Sequence, residues 1–185
     1  LNDGVYVNNI FHTGSLYGII DSLYEFLKIY EKNLKQYIGH GDLCFNNILV
    51  DPIYGTINLI DPKAQKHISS DEYGLMDSFY DLSKLNHSIE GLYDSVVNNL
   101  YNIKTFDIDN ISFEIYQPKE FKYYTKYFKE LILDKRISYE SLRLLTANLF
   151  LNMLPLHIDN VDRVIGLALI GAILSSEHSM KQITL

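Results

Sequence analysis

The segment from Gly39 to Pro62 tolerates very few local folds. Asn47-Ile48-Leu49-Val50 and Thr56-Ile57-Asn58-Leu59-Ile60-Asp61 are short runs rich in β-branched and apolar residues, and Asp51-Pro52-Ile53-Tyr54-Gly55 between them carries the Pro and Gly that interrupt regular structure. Two such runs around one turn predict a hairpin. If Val50 pairs near Ile57, then Asn47 and Asp61, fourteen residues apart in sequence, come side by side at the open end. Asp42, five residues before Asn47 on a glycine-containing loop, can fold back over the same end.

That end has a definite chemistry. Side-chain oxygens from Asn47 and Asp61 suit Mg²⁺, a hard cation that takes one or two carboxylates together with substrate phosphates and keeps several waters. Asp42 is then left to accept or orient the proton of an attacking hydroxyl, as the catalytic-loop aspartate does in phosphoryl transfer from ATP. An aspartate with an ordinary pKa of about 3.9 is a weak base at neutral pH, so its contribution is alignment more than proton abstraction at equilibrium.

Around this segment the sequence is mainly helical, and the predicted class is α+β, mostly α. Leu16, Ile19, Ile20, Leu23, Phe26, Leu27 and Tyr30 recur at three and four, predicting a helix from Ser15 to about Asn33. The same period returns over residues 75–87, 88–100, 118–134, 139–154 and 161–175. Asp159 or Asn160 is placed to cap the last of these, and Pro118 suits the first turn of its own helix. Residues 102–117 have no clear period and are expected to form a connection, with Asp107 and Asp109 as solvated turn residues. The residues before Ser15 are expected to be an irregular lead-in.

With 185 residues, 47% of them hydrophobic, the chain is expected to be a single domain. Its net charge of −7 argues against duplex nucleic acid as a partner. No apolar run approaches the length of a membrane span, no leader is evident, and the single cysteine, Cys44, excludes an internal disulfide framework. A cytoplasmic protein without membrane contact is the expectation. His12, His67, His87, His157 and His178 show no ligand spacing, which argues against zinc.

His40-Gly41-Asp42-Leu43, three residues, Asn47-Ile48-Leu49, and then Ile60-Asp61 after the hairpin resemble the H-G-D-L-x-x-x-N-I-L and I-D motifs of the aminoglycoside phosphotransferase and choline kinase family. Asp77-Ser78-Phe79-Tyr80-Asp81-Leu82-Ser83-Lys84 is similar to that family's D-P-x-Y-D-L-A stretch. The resemblance spans roughly residues 15 to 176 and implies the C-terminal lobe of a protein kinase-like fold, a helical block with a short β-hairpin at the active site. It makes Asp42 the catalytic aspartate, Asn47 and Asp61 the metal ligands, and His40 and Asp81 supports of the catalytic loop. It implies Mg²⁺ and ATP, or another nucleoside triphosphate, as cofactors.

The implied activity is phosphorylation of a hydroxyl on a small metabolite, a sugar, polyol or amino alcohol. Met153-Leu154-Pro155-Leu156-His157 before a helix looks like phosphotransferases associated with capsule and surface-polysaccharide synthesis. Two features depart from the pattern: Pro62-Lys63 follows Asp61 where an aromatic residue is usual, and Cys44 stands where histidine is common. Lys63 is a candidate phosphate contact, weighed against an ordinary exposed loop lysine, and Cys44 reads as an inert small side chain. The 39 residues before His40 carry no phosphate-covering loop or strand lysine, so a nucleotide-clamping N-terminal lobe is expected to be absent or upstream in the same polypeptide. That gap motivates an alternative, a non-catalytic kinase-derived binding or scaffold domain of a larger protein. A metal-dependent hydrolase is a further reading, against which stands the lack of a second carboxylate cluster.

Overall fold

The computed structural model describes residues 4–8, 10–13, 16–31, 36–63, 75–77, 79–107, 110–133 and 138–176. The sequence candidates His67, Asp109 and His178 lie outside these residues. Six α-helices and eight strands make an α+β, mostly α fold among the described residues. In order they are β1 (Gly4–Val7), β2 (Ile10–Thr13), α1 (Leu16–Glu31), β3 (Gln36–Ile38), β4 (Ile48–Asp51), β5 (Thr56–Leu59), β6 (Leu75–Asp77), α2 (Tyr80–Ile89), α3 (Tyr93–Val97), β7 (Tyr101–Asp107), β8 (Asn110–Ile115), α4 (Phe121–Leu133), α5 (Tyr139–Asn152) and α6 (Val161–Ser175).

Helical periodicity and burial agree where the helices are long. On α1, Ile19, Leu23, Phe26 and Tyr30 are buried, one stripe at spacings of three and four. On α5 and α6, Leu142, Leu145, Phe150, Leu167, Ile170 and Leu174 join the same core as Ile89 of α2, Phe128 and Ile132 of α4 and Phe113 of β8. The caps are local: Ser138 accepts a hydrogen bond from Ser141 N at the start of α5, and the Asn160 side chain accepts from Arg163 N at the start of α6. Pro118 sits in a turn just ahead of α4, its carbonyl accepting from Phe121 N, and not inside the helix. No helix among the described residues is long and apolar enough to cross a membrane.

The expected connection at 102–117 is a β-hairpin, and the expected irregular lead-in is another. β7 and β8 pair antiparallel, β1 and β2 likewise, and β1 joins β8 in parallel, giving one sheet ordered β2-β1-β8-β7. Asn8 extends that junction. With φ at 52° it leaves the strand direction, and its side-chain amide then acts like one more peptide group, accepting from Phe113 N at 2.8 Å and donating to Phe113 O at 2.6 Å.

Two other boundaries differ from the helical reading. Leu75–Asp77 is a strand paired antiparallel with Gln36–Ile38, and α2 starts only at Tyr80. The Asp77 carboxylate accepts from Phe79 N just before the helix and from the Tyr30 hydroxyl of α1, so this residue joins three elements. The predicted helix from Ser88 onward is also broken. α2 runs on to Ile89, Gly91 packs so tightly that a Cβ there would lie 2.4 Å from the Phe150 ring, and Leu92 at φ 52° turns the chain into the short α3.

Candidate active site

β4 and β5 pair with Val50 opposite Ile57 and Ile48 opposite Leu59, the register proposed for the sequence. The hydrogen bond from Ile60 N to Asn47 O continues the ladder by one step, so Asn47 and Asp61 stand at the same open end. Asp61 then adopts φ 54°, a left-handed conformation that aspartate tolerates better than most residues. Two residues on, Lys63 N donates to His40 O, which brings the strand exit back onto the loop that carries Asp42.

That loop is splinted by one face of α2. The Asp81 carboxylate accepts from His40 N at 2.6 Å and from Gly41 N at 2.8 Å. Three residues along the helix, Lys84 Nζ lies 3.1 Å from Asp42 Oδ1, and four further on the Ser88 hydroxyl accepts from Phe45 N at 3.2 Å. Positions i, i+3 and i+7 share one helix face, so α2 holds the loop at its two ends and its centre. His40 is a structural residue in this arrangement. Its Nδ1 accepts from Asp42 N at 3.3 Å and its Nε2 is 2.9 Å from Ile60 O, which fits the Nε2–H tautomer bridging loop and hairpin.

Asp42 itself is surrounded by donors. Lys63 Nζ is 2.7 Å from Oδ2, Lys84 Nζ is 3.1 Å from Oδ1, and Asn47 Nδ2 donates both to the Asp42 carbonyl at 2.8 Å and to Oδ2 at 3.2 Å. Burial on its own pushes the Asp42 carboxyl up, but the hydrogen bond from Lys63 and the charge of Lys84 together outweigh it and hold the pKa below the usual carboxylate value. Cys44, buried behind the loop, is shifted the other way, first by burial and then by the Asp42 charge, so its thiol is unreactive.

The suitability of these residues for a magnesium ion can be judged from Lys63. Its ammonium lies 2.7 Å from Asp42 Oδ2 and 3.8 Å from Asp61 Oδ2, so the two carboxylates already converge on one cation. Asn47 directs its Nδ2 to Asp42, which leaves Oδ1 as the atom for a metal. One amide oxygen and one or two carboxylates form the hard oxygen set that Mg²⁺ takes alongside phosphate and water. Among the described residues no three His, Cys, Asp or Glu side chains cluster as a closed metal cage.

All six residues singled out in the sequence, His40, Asp42, Asn47, Asp61, Lys63 and Asp81, therefore meet at one place. Lys84 and Ser88 were missed. The signal for them is on α2: polar residues three and seven positions after Asp81, on the face that Asp81 turns toward the loop. Beneath them His87 is fully buried, its ring 4.1 Å from that of Tyr93 and 4.2 Å from that of Phe150. Burial, and after it the charge of Lys84, holds its pKa down to about 3, so it is a neutral core histidine and no base. Compared with family models, with curated proteins and with solved structures, the chain gives no match.

Proposed function

We propose that this chain is the catalytic lobe of an ATP-dependent phosphotransferase that phosphorylates a hydroxyl of a small metabolite, with a sugar, polyol or amino alcohol for surface-polysaccharide synthesis as the acceptor class. The observation that carries the reading is the meeting of Asp42, Asn47 and Asp61 at one hairpin end, under a loop that Asp81 braces through two backbone N–H groups. Asp42 holds and aligns the acceptor hydroxyl. With both of its oxygens near ammonium groups it is a poor base, and orientation of the attacking oxygen is its main task. Asn47 and Asp61 are the residues to hold Mg²⁺, whose chemistry when bound is neutralisation of charge on the phosphates. The exposed apolar side chains of Val50, Ile57 and Leu59, on one face of the hairpin that leads to that end, offer a surface for a nucleotide base. An upstream domain of the same polypeptide is the proposed source of the phosphate-covering loop.

One observation favours the non-catalytic scaffold reading: Asp42 is already paired with Lys63 and Lys84 and needs no substrate to be satisfied. Phosphoryl transfer from ATP to a panel of hydroxyl metabolites, measured with the full-length protein, separates the two. Under the proposal Asp42→Asn loses turnover by at least about a hundredfold, the scale of a general acid–base residue, while Mg²⁺-nucleotide binding persists. Transfer by Asp42→Asn at the wild-type rate refutes the assignment.

A further inference from the structure

The two lysines on Asp42 differ in their surroundings. The Lys84 side chain is 16% exposed and rides on α2, the helix that also fixes the loop through Asp81, so ammonium and carboxylate belong to one rigid unit. The Lys63 side chain is 59% exposed and lies on the strand exit. Its backbone is held nonetheless. Lys63 N donates to His40 O at 2.8 Å, and its carbonyl carbon and oxygen pack so closely on Gly41 that a Cβ there would lie 2.8 Å from both. A fixed main chain thus carries a long, solvent-exposed arm whose tip sits between two carboxylates.

Without a cation between them, Asp42 and Asp61 would repel each other across the open end of the hairpin. Lys63 supplies that cation, at 2.7 and 3.8 Å. An ammonium and a divalent ion cannot share the place, because two cations a few Å apart repel and each needs the same oxygens. An exposed ion pair gives little net stabilisation and is readily surrendered, and a lysine stem is flexible enough to let it go.

We infer that Lys63 is a displaceable internal cation: it holds Asp42 and Asp61 together in the metal-free protein, competes with the divalent ion for Asp61, and leaves both carboxylates when the ion binds, while Lys84 stays on Asp42 throughout. This rests on the metal-nucleotide reading given above. It assigns the two lysines opposite effects on metal affinity. Removing Lys63 removes a competitor for Asp61, and removing Lys84 loosens Asp42 and the loop beside the metal without freeing a metal ligand.

The test uses Mn²⁺, a dication that takes the same oxygen ligands and whose free form is read directly by electron paramagnetic resonance. Free Mn²⁺ is titrated into the wild type, Lys63→Met and Lys84→Met at fixed ionic strength, with and without ATP. Lys63→Met is expected to bind Mn²⁺ about tenfold more tightly than the wild type, because the ammonium that occupies the Asp61 side of the site is gone, and Lys84→Met, which does not touch Asp61, no more tightly than the wild type. Unchanged or weaker binding by Lys63→Met overturns the inference and leaves the functional reading standing. So does equal tightening by both variants, which is the mark of a general field and not of occupancy. Absence of Mn²⁺ binding in every protein, even with ATP, removes both the inference and the functional reading. Should Lys84→Met not fold, Lys84→Gln takes its place in that comparison.

Discussion

Replacing Asp81 by alanine removes the two hydrogen bonds by which its carboxylate holds the backbone of the Asp42 loop, at 2.6 Å to His40 N and 2.8 Å to Gly41 N. A hydrogen bond to a charged group is worth about 1.5–3 kcal/mol, and both N–H groups are partly buried, so water restores only some of the loss. The two bonds share one carboxylate and are not additive, which gives an expected destabilisation of about 2–4 kcal/mol. For a chain of this size each kcal/mol moves the melting temperature by about 2–4 °C, so Asp81→Ala is expected to melt about 5–15 °C below the wild type. Asp81→Asn refines the test. It keeps the shape and one acceptor oxygen but presents an NH₂ group to a backbone N–H, so it should lose at least half as much as alanine. Chemical and thermal unfolding, followed by circular dichroism, measure both. If Asp81→Ala stays within about 0.5 kcal/mol of the wild type, the range of ordinary surface changes, α2 is not the brace of this loop.

Gly41→Ala probes the same loop from its other side. At φ 83° with the Lys63 backbone 2.8 Å from a new Cβ, the substitution is expected to cost about 1–3 kcal/mol, read by urea unfolding, and a neutral result contradicts the described loop geometry. His87 sets a pH dependence. Its folded pKa of about 3 lies below the ordinary 6.5, so the unfolded chain binds a proton that the folded one refuses. Its contribution is therefore complete above about pH 6.5 and is lost as pH falls from there toward 3, at up to about 1.4 kcal/mol per pH unit. Unfolding free energies at pH 7, 6 and 5 should fall with that slope in the wild type and be flatter in His87→Leu. Parallel slopes in the two proteins refute the assignment.

The hairpin and its register were legible because both strands and their turn lie within one short stretch, where alternation and the Pro/Gly break act on neighbouring residues. The long helices were legible for a similar reason: a stripe such as Ile19, Leu23, Phe26 and Tyr30 declares its buried face without reference to any partner. The four-stranded sheet was not. Each edge of its β1–β8 junction is a few residues long, and its partners, Tyr6 with Asn110 and Val7 with Ile111, are about a hundred residues apart, so no local pattern announces the pairing. Leu75–Asp77 failed in the same way, since its strand partner among the described residues is Gln36–Ile38. Within the site, the motif residues were found on the loop and hairpin where they cluster in sequence. Lys84 and Ser88 were passed over because their relation to Asp42 and Phe45 exists only once α2 is laid against the loop.

The central claim is that Asn47 and Asp61, with Asp42 beside them, form a working metal-nucleotide half-site, and the most direct measurement is the melting temperature of the wild type and of Asp61→Ala with and without Mg²⁺-ATP. A ligand that binds only the folded state, present at a hundred times its dissociation constant, stabilises by about 2.7 kcal/mol, or about 5–10 °C for a chain of this size. The account predicts that rise in the wild type and little or none in Asp61→Ala, with Mg²⁺ alone giving less than Mg²⁺-ATP. An equal rise in both proteins, or no rise in either, contradicts it.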